Sequence, residues 1–248
     1  MPHSETETSE KKALKFAIII PITHSLYDLD LCLSSLEKIN YSKDNFQVVL
    51  INCHKASGLK DFEKKLPEYN LQIEMLHLPQ KELHKLSWIN DERNGEAYNN
   101  AINTVKADYY IFTEDDCLFE PDWLLKFEPW LSEDLGMLMG PEILAPNLPW
   151  FARVLDCVLI SFLGTGGRKN KKTMDAKWYY PQNENMLIPA KVFEQVGYFA
   201  EHLLSRSEIE MFKTIRDAGL KTQYLEDNYL NIALNESKLT NNVLKSVS

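Results

Sequence analysis

Short apolar runs alternate with amphipathic segments along the first 113 residues, and this alternation constrains the fold more than any other feature. Four runs are predicted strands, at residues 16–20, 46–51, 71–78 and 108–113. The first is continuously apolar, and we interpret the first two as strands buried on both faces. Between them, apolar residues at helical spacing predict helices at residues 28–38, 57–66 and 95–106. This order requires right-handed crossovers, so the sequence predicts an α/β fold with a mainly parallel sheet flanked by helices.

The composition is that of an ordinary globular protein. Of the 248 residues, 44% are apolar and 25% are charged, which supplies one substantial core and is unlike a disordered chain. The net charge of −9 at pH 7 disfavours nucleic acid as a partner, because phosphates repel an acidic surface. The four cysteines form no C-x-x-C pair, and the first apolar run stops at Pro21. These features predict a cytoplasmic protein with reduced thiols and without a signal peptide or membrane span.

Polar loops follow three of the predicted strands, at residues 21–25, 52–57 and 114–118. Carboxyl ends of parallel strands meet at one edge of a sheet, so we expect the three loops to cluster and to bind a ligand. The third loop begins with Glu114-Asp115-Asp116, whose mutual repulsion a divalent cation would offset. Hard oxygen ligands suit Mn²⁺ or Mg²⁺. A solvated acidic turn is the alternative interpretation of the triplet taken alone.

The second half of the chain is less regular. Its spacing predicts a proline-rich crossing segment at 141–149 and helices at residues 121–131, 150–163, 190–196 and 206–218. Helix 150–163 has one broad apolar face, which we interpret as core; peripheral contact with a membrane or a lipid-linked acceptor is the alternative. The glycine-rich stretch that ends at Gly166-Gly167 precedes Arg168 and three lysines. It is either a solvated loop or a lid that meets phosphate.

Five segments in a fixed order resemble family 2 glycosyltransferases. They are F-A-I-I-I-P-I-T-H, Q-V-V-L-I-N-C, G-E-A-Y-N-N-A-I-N-T-V-K-A-D-Y-Y-I-F-T-E-D-D with P-D-W-L, N-M-L-I-P-A-K-V-F-E-Q-V-G-Y-F-A-E, and S-E-I-E-M-F-K-T-I-R-D-A-G. The resemblance implies a single GT-A, Rossmann-like domain at residues 15–230, with a nucleotide-sugar-binding half at 15–120 and an acceptor half at 121–230. A disordered tail is expected at residues 1–14, and a polar C-terminal tail at 231–248.

The resemblance assigns roles to residues at the predicted edge of the sheet. It implies that Asp116 ligates the metal. Glu114 is implied to face either the ribose of the donor or the metal with its water shell, and Asp115 is implied to contact the donor. The other donor-binding positions that it implies are Pro21, Thr23, Asn52 and Gly95. Asn52 stands where the family has an Asp that accepts a hydrogen bond from the base. An amide can both accept and donate, but it carries no charge.

The catalytic base that the resemblance implies is Glu208, in the position of the family's Asp near the start of the last helix. Ser207 takes the place of the preceding Glu, and Glu210 matches a further acidic position on the acceptor side. The structural alternative for both glutamates is that the dipole of a helix favours acidic residues in its first turn. The resemblance also favours the lid, because Gly166, Gly167 and Arg168 match a G-x-G-G-x-R stretch.

The function that follows is a metal-dependent, inverting transfer of a sugar from a nucleoside diphosphate sugar to a saccharide or lipid-linked acceptor. A nucleotidyltransferase is disfavoured, because the loop P-I-T-H-S-L after the first strand has neither Gly nor Lys. The alternative from another class is a catalytically silent GT-A domain that serves as a binding or scaffold subunit. Three departures from the family pattern favour this alternative: Asn52, Ser207 and Ala200.

Overall fold

The computed structural model describes residues 14–23, 25–52, 58–78, 94–144, 185–201 and 207–232. Several predictions fall outside the described residues. They are the N-terminal tail up to residue 13, the loop at 52–57 apart from Asn52, residues 145–149 of the proline-rich segment, the apolar helix at 150–163, the lid residues Gly166, Gly167 and Arg168 with the lysines that follow, and the tail beyond residue 232.

The described part of the chain contains ten strands and five α-helices. The strands are β1 (Leu14–Ile22), β2 (Phe46–Asn52), β3 (Ile73–His77), β4 (Ala107–Phe112), β5 (Cys117–Leu118), β6 (Leu135–Met139), β7 (Glu142–Leu144), β8 (Met186–Pro189), β9 (Lys221–Tyr224) and β10 (Leu230–Ile232). The helices are α1 (Leu26–Leu36), α2 (Leu59–Glu63), α3 (Asn94–Thr104), α4 (Ala190–Val196) and α5 (Ser207–Asp217). Seven of these strands form one sheet in the order β3-β2-β1-β4-β8-β6-β9, and β5, β10 and β7 form a smaller one.

The first four strands of the large sheet are parallel, as the alternation predicts. β1 lies between β2 and β4, and β2 pairs with β3. Alternate residues of β1 pack on opposite layers: Phe16 and Ile18 face the layer that contains α1, and Ala17 and Ile19 face the layer that contains α3. A strand covered on both faces needs a continuous apolar run, which is the pattern in the sequence. The predicted α/β class, with one mainly parallel sheet flanked by helices, is confirmed.

The second half adds three strands to this sheet that the sequence pattern did not predict. β8 pairs antiparallel with both β4 and β6, and β6 pairs parallel with β9. These strands are only four or five residues long. Runs of this length are too short for hydrophobic periodicity to distinguish them from loops.

The helix predicted at residues 121–131 is wrong. Residues 121–127 form successive turns, and Glu128–Trp130 is a short 3-10 helix. Pro129 prevents a helix from continuing to residue 131, because proline donates no backbone hydrogen bond and disfavours helical geometry in the residue before it. Trp123 and Phe127 are fully buried, so packing on the core holds these turns in place.

The remaining predicted elements differ from the structure mainly at their ends. The helix predicted at 57–66 is shorter, because α2 begins after Gly58, whose φ of 83° is left-handed, and ends before a 3-10 turn that contains Pro67. The helices predicted at 28–38, 95–106, 190–196 and 206–218 are confirmed as α1, α3, α4 and α5. β1 begins at Leu14, within the predicted N-terminal tail, and β10 extends to Ile232, beyond the predicted domain end. None of the helices in the described ranges is long and apolar enough to cross a membrane.

Candidate functional site

The carboxyl ends of β1, β2 and β4 lie side by side. Ile22 of β1 lies beside Asn52 of β2 in register. Thr113, which follows β4, donates its backbone N–H to the Ile19 carbonyl of β1 at 3.1 Å. The acidic triplet comes directly after Thr113. The polar residues that the sequence placed after three separate strands therefore meet at one edge of the sheet.

Pro21 belongs to β1, although the sequence pattern predicted that the strand would stop there. It is buried and lies beside Ile51 of β2 in register. The pairing of β1 with β4 ends at Ile19 and Phe112, so Pro21 lies beyond the stretch where β4 is paired. A proline fits such a position, because a ladder hydrogen bond is required there on one side only.

Asp115 is a fully buried carboxylate that holds the loop after β1. Its Oδ2 accepts the backbone N–H of Thr23 at 3.0 Å, and its Oδ1 accepts the Thr23 hydroxyl at 3.2 Å. Both side-chain oxygens of Asp115 therefore face Thr23. The geometry gives Asp115 a structural role, because it connects the loop after β1 to the loop after β4.

Glu114 and Asp116 lie on either side of Asp115 within a tight turn. We call the two hydrogen bonds between Asp115 and Thr23 the Asp115–Thr23 clamp. The backbone N–H of Cys117 donates to the Glu114 carbonyl at 3.3 Å, and Cys32 Sγ of α1 lies 3.9 Å from the same oxygen. Burial raises the pKa of the Cys32 thiol well above its usual value, and the charge of Asp115 raises it further. The thiol is therefore a protonated donor. Asp116 is only 1% exposed, whereas Glu114 is half-buried.

The donor set of this turn fits a hard divalent cation. Mg²⁺ and similar ions commonly bind through one or two carboxylates together with substrate phosphates. Glu114 and Asp116 supply two such carboxylates, while the oxygens of Asp115 face Thr23. Within the described ranges, no group of three or more His, Cys, Asp or Glu side chains could hold a metal. A cation here would therefore need further oxygen ligands from a substrate or from water.

Asn52 contacts a histidine that sequence reasoning did not single out. Its Nδ2 lies 3.2 Å from Nδ1 of His77, the last residue of β3. Nε2 of the same ring lies 3.5 Å from Oε1 of Glu63, at the end of α2. The Oδ1 atom of Asn52 is buried and accepts no hydrogen bond from the described residues. The only available signal in the sequence was the position of His77 at the end of a predicted strand.

A second group of predicted residues meets where α3 and α5 begin. Gly95, in the first turn of α3, is buried; a Cβ atom there would lie 3.0 Å from the Ala200 carbonyl oxygen and 3.4 Å from the Ser207 Cβ. The close approach of these segments accounts for glycine at this position. Donor binding by Gly95 remains a prediction.

Asn99 of α3 holds the segment that leads toward α5. Its Oδ1 accepts the backbone N–H of Phe199 at 3.0 Å, and its Nδ2 donates to the Phe199 carbonyl and to Glu201 Oε1, both at 2.9 Å. Asn99 is itself buried. The sequence carried a signal for it, since a polar residue at a buried helical position usually makes such bonds.

Glu208 and Glu210 lie in the first turn of α5 in different environments. Glu208 is 8% exposed and follows the buried Ser207, whereas Glu210 is exposed. α5 packs on α3, β6 and β9. The helix dipole favours a carboxylate in this turn, but it does not require burial. The burial of Glu208 therefore needs a further reason.

A buried polar network centred on Asn185 was also missed. Asn185, just before β8, accepts the indole N–H of Trp123 at 3.1 Å and donates Nδ2 to the Asn228 carbonyl at 2.6 Å. The Gly140 N–H donates to the Asn185 carbonyl at 3.0 Å. A Cβ atom at Gly140 would collide with Asn185 and Asn228. This network fixes the relative positions of β6, β8 and the turns that follow the acidic triplet.

Comparison with known proteins finds a matching protein family and a relative with the same kind of description. Residues 17–141 match the family described as Glycosyl transferase family 2. Glycosyltransferase AglE of Haloferax volcanii is 23% identical over 215 residues, which are 85% of this chain and 64% of that protein. The chain therefore spans less than two thirds of this relative.

Solved structures share the fold. The mannosyltransferase PcManGT of Pyrobaculum calidifontis, in complex with GDP-Man and Mn²⁺, superposes with a TM-score of 0.63 at 14% identity. That match covers 90% of this chain and 58% of PcManGT. TarS of S. aureus in complex with UDP-GlcNAc superposes with a TM-score of 0.57 at 17% identity, covering 90% of this chain and 60% of that one.

Proposed function

This chain belongs to glycosyl transferase family 2, and from that premise we propose that it transfers a sugar from a nucleoside diphosphate sugar to a saccharide or lipid-linked acceptor. The observation that carries the proposal is the shared edge of the sheet at which Thr23, Asn52 and Glu114–Asp116 meet. Ligands of open parallel sheets bind at this edge. The complexes of PcManGT with GDP-Man and of TarS with UDP-GlcNAc support a nucleotide sugar as the donor.

In this proposal, Glu114 and Asp116 are the residues that would hold a Mn²⁺ or Mg²⁺ ion in the donor site. The bound ion would neutralise the negative charge that develops on the leaving diphosphate. The protein's contribution is to fix the two carboxylates in a tight turn, which the hydrogen bonds to the Glu114 carbonyl and the Asp115–Thr23 clamp support. The Mn²⁺ in the PcManGT complex supports the choice of ion.

The proton-transfer step is proposed for Glu208. The acceptor hydroxyl oxygen forms a bond to the anomeric carbon, the bond from that carbon to the diphosphate oxygen breaks, and the hydroxyl proton moves to the Glu208 carboxylate. Attack from the face opposite the diphosphate inverts the anomeric configuration. The low exposure of Glu208 supports this role, because a carboxylate screened from water exchanges its proton with a bound hydroxyl rather than with solvent.

The cellular location and the partners of the protein are part of the same proposal. The reaction would take place in the cytoplasm, with peripheral contact to a membrane where the acceptor is lipid-linked, and without nucleic acid as a partner. The net charge of −9 supports the last point.

The test measures the thermal stability of the protein with UDP, GDP, CDP and dTDP, each with and without Mn²⁺. A nucleotide at 100 times its dissociation constant stabilises the fold by about 2.7 kcal/mol. We expect such a shift for at least one nucleotide in the presence of Mn²⁺, and its loss in Asp116→Ala. Asp227→Ala is the matched control, because it removes an exposed carboxylate and should leave the shift unchanged. The donor site is disproved if no nucleotide shifts the wild-type protein.

A further inference from the structure

Asn99 in the middle of α3 uses its whole side-chain amide to hold one short segment, residues 199–201. Its Oδ1 accepts the backbone N–H of Phe199 at 3.0 Å, and its Nδ2 donates to the Phe199 carbonyl and to Glu201 Oε1, each at 2.9 Å. Both backbone groups of Phe199 are therefore bonded to a single side chain. A carboxylate can only accept and an aliphatic side chain does neither, so this contact requires an amide.

The ring of Phe199 joins the same segment to the end of β4. Phe199 is 3% exposed, and its ring centroid lies 5.1 Å from that of Phe112 and 5.1 Å from that of Tyr98. Aromatic rings at this separation pack favourably. Phe112 is the last residue of β4, and the acidic triplet begins soon after it, at Glu114. The segment is thus fixed both to α3 and to the strand that leads into the proposed donor site.

The first residues of α3 and α5 lie against each other at the same place. A Cβ atom at Gly95 would lie 3.0 Å from the Ala200 carbonyl oxygen and 3.4 Å from the Ser207 Cβ. Ser207 is the first residue of α5 and directly precedes Glu208. Interiors packed this closely transmit small displacements. A shift of residues 199–201 along α3 would therefore displace the start of α5, and Glu208 with it.

We propose that Asn99 is a positioning residue that, by holding residues 199–201, fixes the Glu208 carboxylate relative to the donor. The inference rests on the proposed function, because it takes Glu208 to be the base. Proton transfer requires the base within hydrogen-bond reach of the attacking hydroxyl, and a misplacement of about 1 Å can lower a rate by about 10²-fold. Asn99 itself has no contact with the reacting atoms in this proposal.

Asn99→Asp tests the inference with a side chain of the same size. The carboxylate still accepts the Phe199 N–H, but an oxygen replaces the Nδ2 donor and faces the Phe199 carbonyl and the Glu201 carboxylate, which repel it. We expect kcat to fall about 10- to 100-fold, with an unchanged dissociation constant for the nucleotide in the presence of Mn²⁺. Asn103→Asp makes the same change at an exposed position of the same helix and should leave both values unchanged.

The rate can be measured without knowledge of the acceptor. The probes are UDP-, GDP-, CDP- and dTDP-linked hexoses and N-acetylhexosamines with Mn²⁺, and the readout is release of the nucleoside diphosphate. Water takes the place of the acceptor: its oxygen bonds to the anomeric carbon, the bond from that carbon to the diphosphate oxygen breaks, and one water proton moves to Glu208. Calorimetry gives the dissociation constant of the nucleotide, and melting without ligand checks that each variant is folded.

A second substitution at Glu208 separates positioning from a general disturbance of the site. If Asn99 acts by placing the base, Asn99→Asp should cause no further loss of rate in a Glu208→Gln background, because no base is left to be placed. A substitution that only distorts the site would lower the remaining rate by the same factor in both backgrounds. The four rates of this cycle therefore distinguish the two roles.

Glu201 offers a way to restore the contact. In Asn99→Asp/Glu201→Gln the amide introduced at 201 can donate to the carboxylate introduced at 99, which reverses the direction of one lost hydrogen bond. We expect this double variant to be about threefold or more faster than Asn99→Asp. Asn99→Ser, whose shorter side chain cannot make all three contacts, is the second variant and should show a loss of rate in the same direction even if Asn99→Asp does not fold.

The outcomes distinguish this inference from the proposed function. If wild-type protein releases nucleoside diphosphate from none of the probes, or if Glu208→Gln keeps the wild-type rate, the proposed function or its base fails and the inference fails with it. If Glu208→Gln is slow but folded Asn99→Asp and Asn99→Ser keep the wild-type rate, or lose it equally in both backgrounds, or bind the nucleotide more weakly in proportion, the inference is overturned while the transferase stands. A loss confined to the background that contains Glu208, with restoration by Glu201→Gln, supports it.

Discussion

Thr23 donates two hydrogen bonds to Asp115, one from its backbone N–H to Oδ2 at 3.0 Å and one from its hydroxyl to Oδ1 at 3.2 Å. The two residues are 92 positions apart in the sequence. They join the loops that follow β1 and β4, which are neighbouring parallel strands. Asp115, the middle residue of the acidic triplet, thus connects the two loops at this edge of the sheet. Its neighbours Glu114 and Asp116 lie in one of those loops.

Removal of the Asp115 carboxylate should destabilise the fold. Asp115→Ala leaves the backbone N–H and the hydroxyl of Thr23 without this partner, and a buried donor that loses its acceptor costs about 1–3 kcal/mol. Thr23→Val removes only the hydroxyl bond and should cost about 1 kcal/mol. Denaturant unfolding measures both values. Thr23→Ser keeps the hydroxyl and is the control, which should lose less than Thr23→Val.

A double-mutant cycle tests whether the two residues act together. The effects of Thr23→Val and Asp115→Ala should not add, because each removes the same hydroxyl–carboxylate bond. The loss in the double variant should therefore be close to that of Asp115→Ala alone. If the two losses of stability add in full in the double variant, the hydroxyl–carboxylate bond does not stabilise the fold as the distances indicate.

Long, fully buried elements were predictable from the sequence, and the irregular ones were not. The runs that became β1 and β2 are almost continuously apolar, with Gln47 as the polar residue of the second, since both faces of each strand are covered. β8 and β9 have four residues each, and their pairing depends on partners distant in the chain. The turns around Trp123 looked helical, because its neighbours Leu124 and Phe127 share a helical spacing that packing on the core also satisfies.

The residue types of the candidate site could be predicted from the sequence, but the contacts between them could not. The acidic triplet after a buried strand indicated a site, and the structure brings it beside Thr23. That Asp115 faces Thr23 could not be read from the sequence, because three adjacent carboxylates give no sign of which one points inward. The contact of Asn52 with His77 likewise depends on the register between β2 and β3, which the sequence does not specify.

Substitution of Glu208 should separate catalysis from donor binding. Glu208→Gln preserves size and burial but removes the group that accepts the acceptor proton, and loss of a general base lowers turnover by about 10²–10⁴-fold. Nucleotide binding with Mn²⁺ should be retained. Transfer of radiolabelled sugar to an acceptor measures the rate, and calorimetry measures binding.

Glu210 provides the matched control for this experiment. It lies in the same first turn of α5, but it is exposed. Glu210→Gln removes the same charge from the helix terminus, so it reproduces any effect of the dipole. Turnover that falls equally in both variants would contradict a special role for Glu208 as the base, because Glu210 shares the helix terminus and the implied acceptor side but is exposed.

The network centred on Asn185 should be a major contributor to stability. Asn185→Leu leaves the Trp123 indole N–H and the Asn228 carbonyl without these partners inside the protein. Two unmatched buried groups should cost roughly 2–5 kcal/mol together. Trp130→Phe, at an indole that is 43% exposed, is the control and should change stability by less than about 1 kcal/mol. A small effect of Asn185→Leu in chemical unfolding would contradict this assignment.

The cluster of Lys15, Tyr41 and Glu128 should make part of the stability depend on acid pH. Lys15 Nζ lies 2.5 Å and the Tyr41 hydroxyl 2.6 Å from Glu128 Oε1. Partial burial alone would raise the pKa of Glu128, but the hydrogen bonds from Lys15 and Tyr41 and the Lys15 charge outweigh it and lower the pKa. A carboxyl group whose pKa is lower in the folded state stabilises the fold above its unfolded pKa, and this contribution is lost as the pH falls through the folded value.

Glu128→Gln should therefore be less stable than wild type near neutral pH, by about 0.5–1 kcal/mol for a pair that is partly exposed to solvent. The difference should be fully present above the ordinary glutamate pKa of 4.5 and should close as the pH falls below it, because the wild-type carboxyl is then protonated as well. Unfolding in urea at a series of pH values measures the difference. Glu133→Gln, at an exposed carboxylate five residues further along the chain, is the control and should give a difference that is small at every pH. If the difference in the free energy of unfolding between wild type and Glu128→Gln persists unchanged into strong acid, then packing stabilises this cluster and the charge of Glu128 does not.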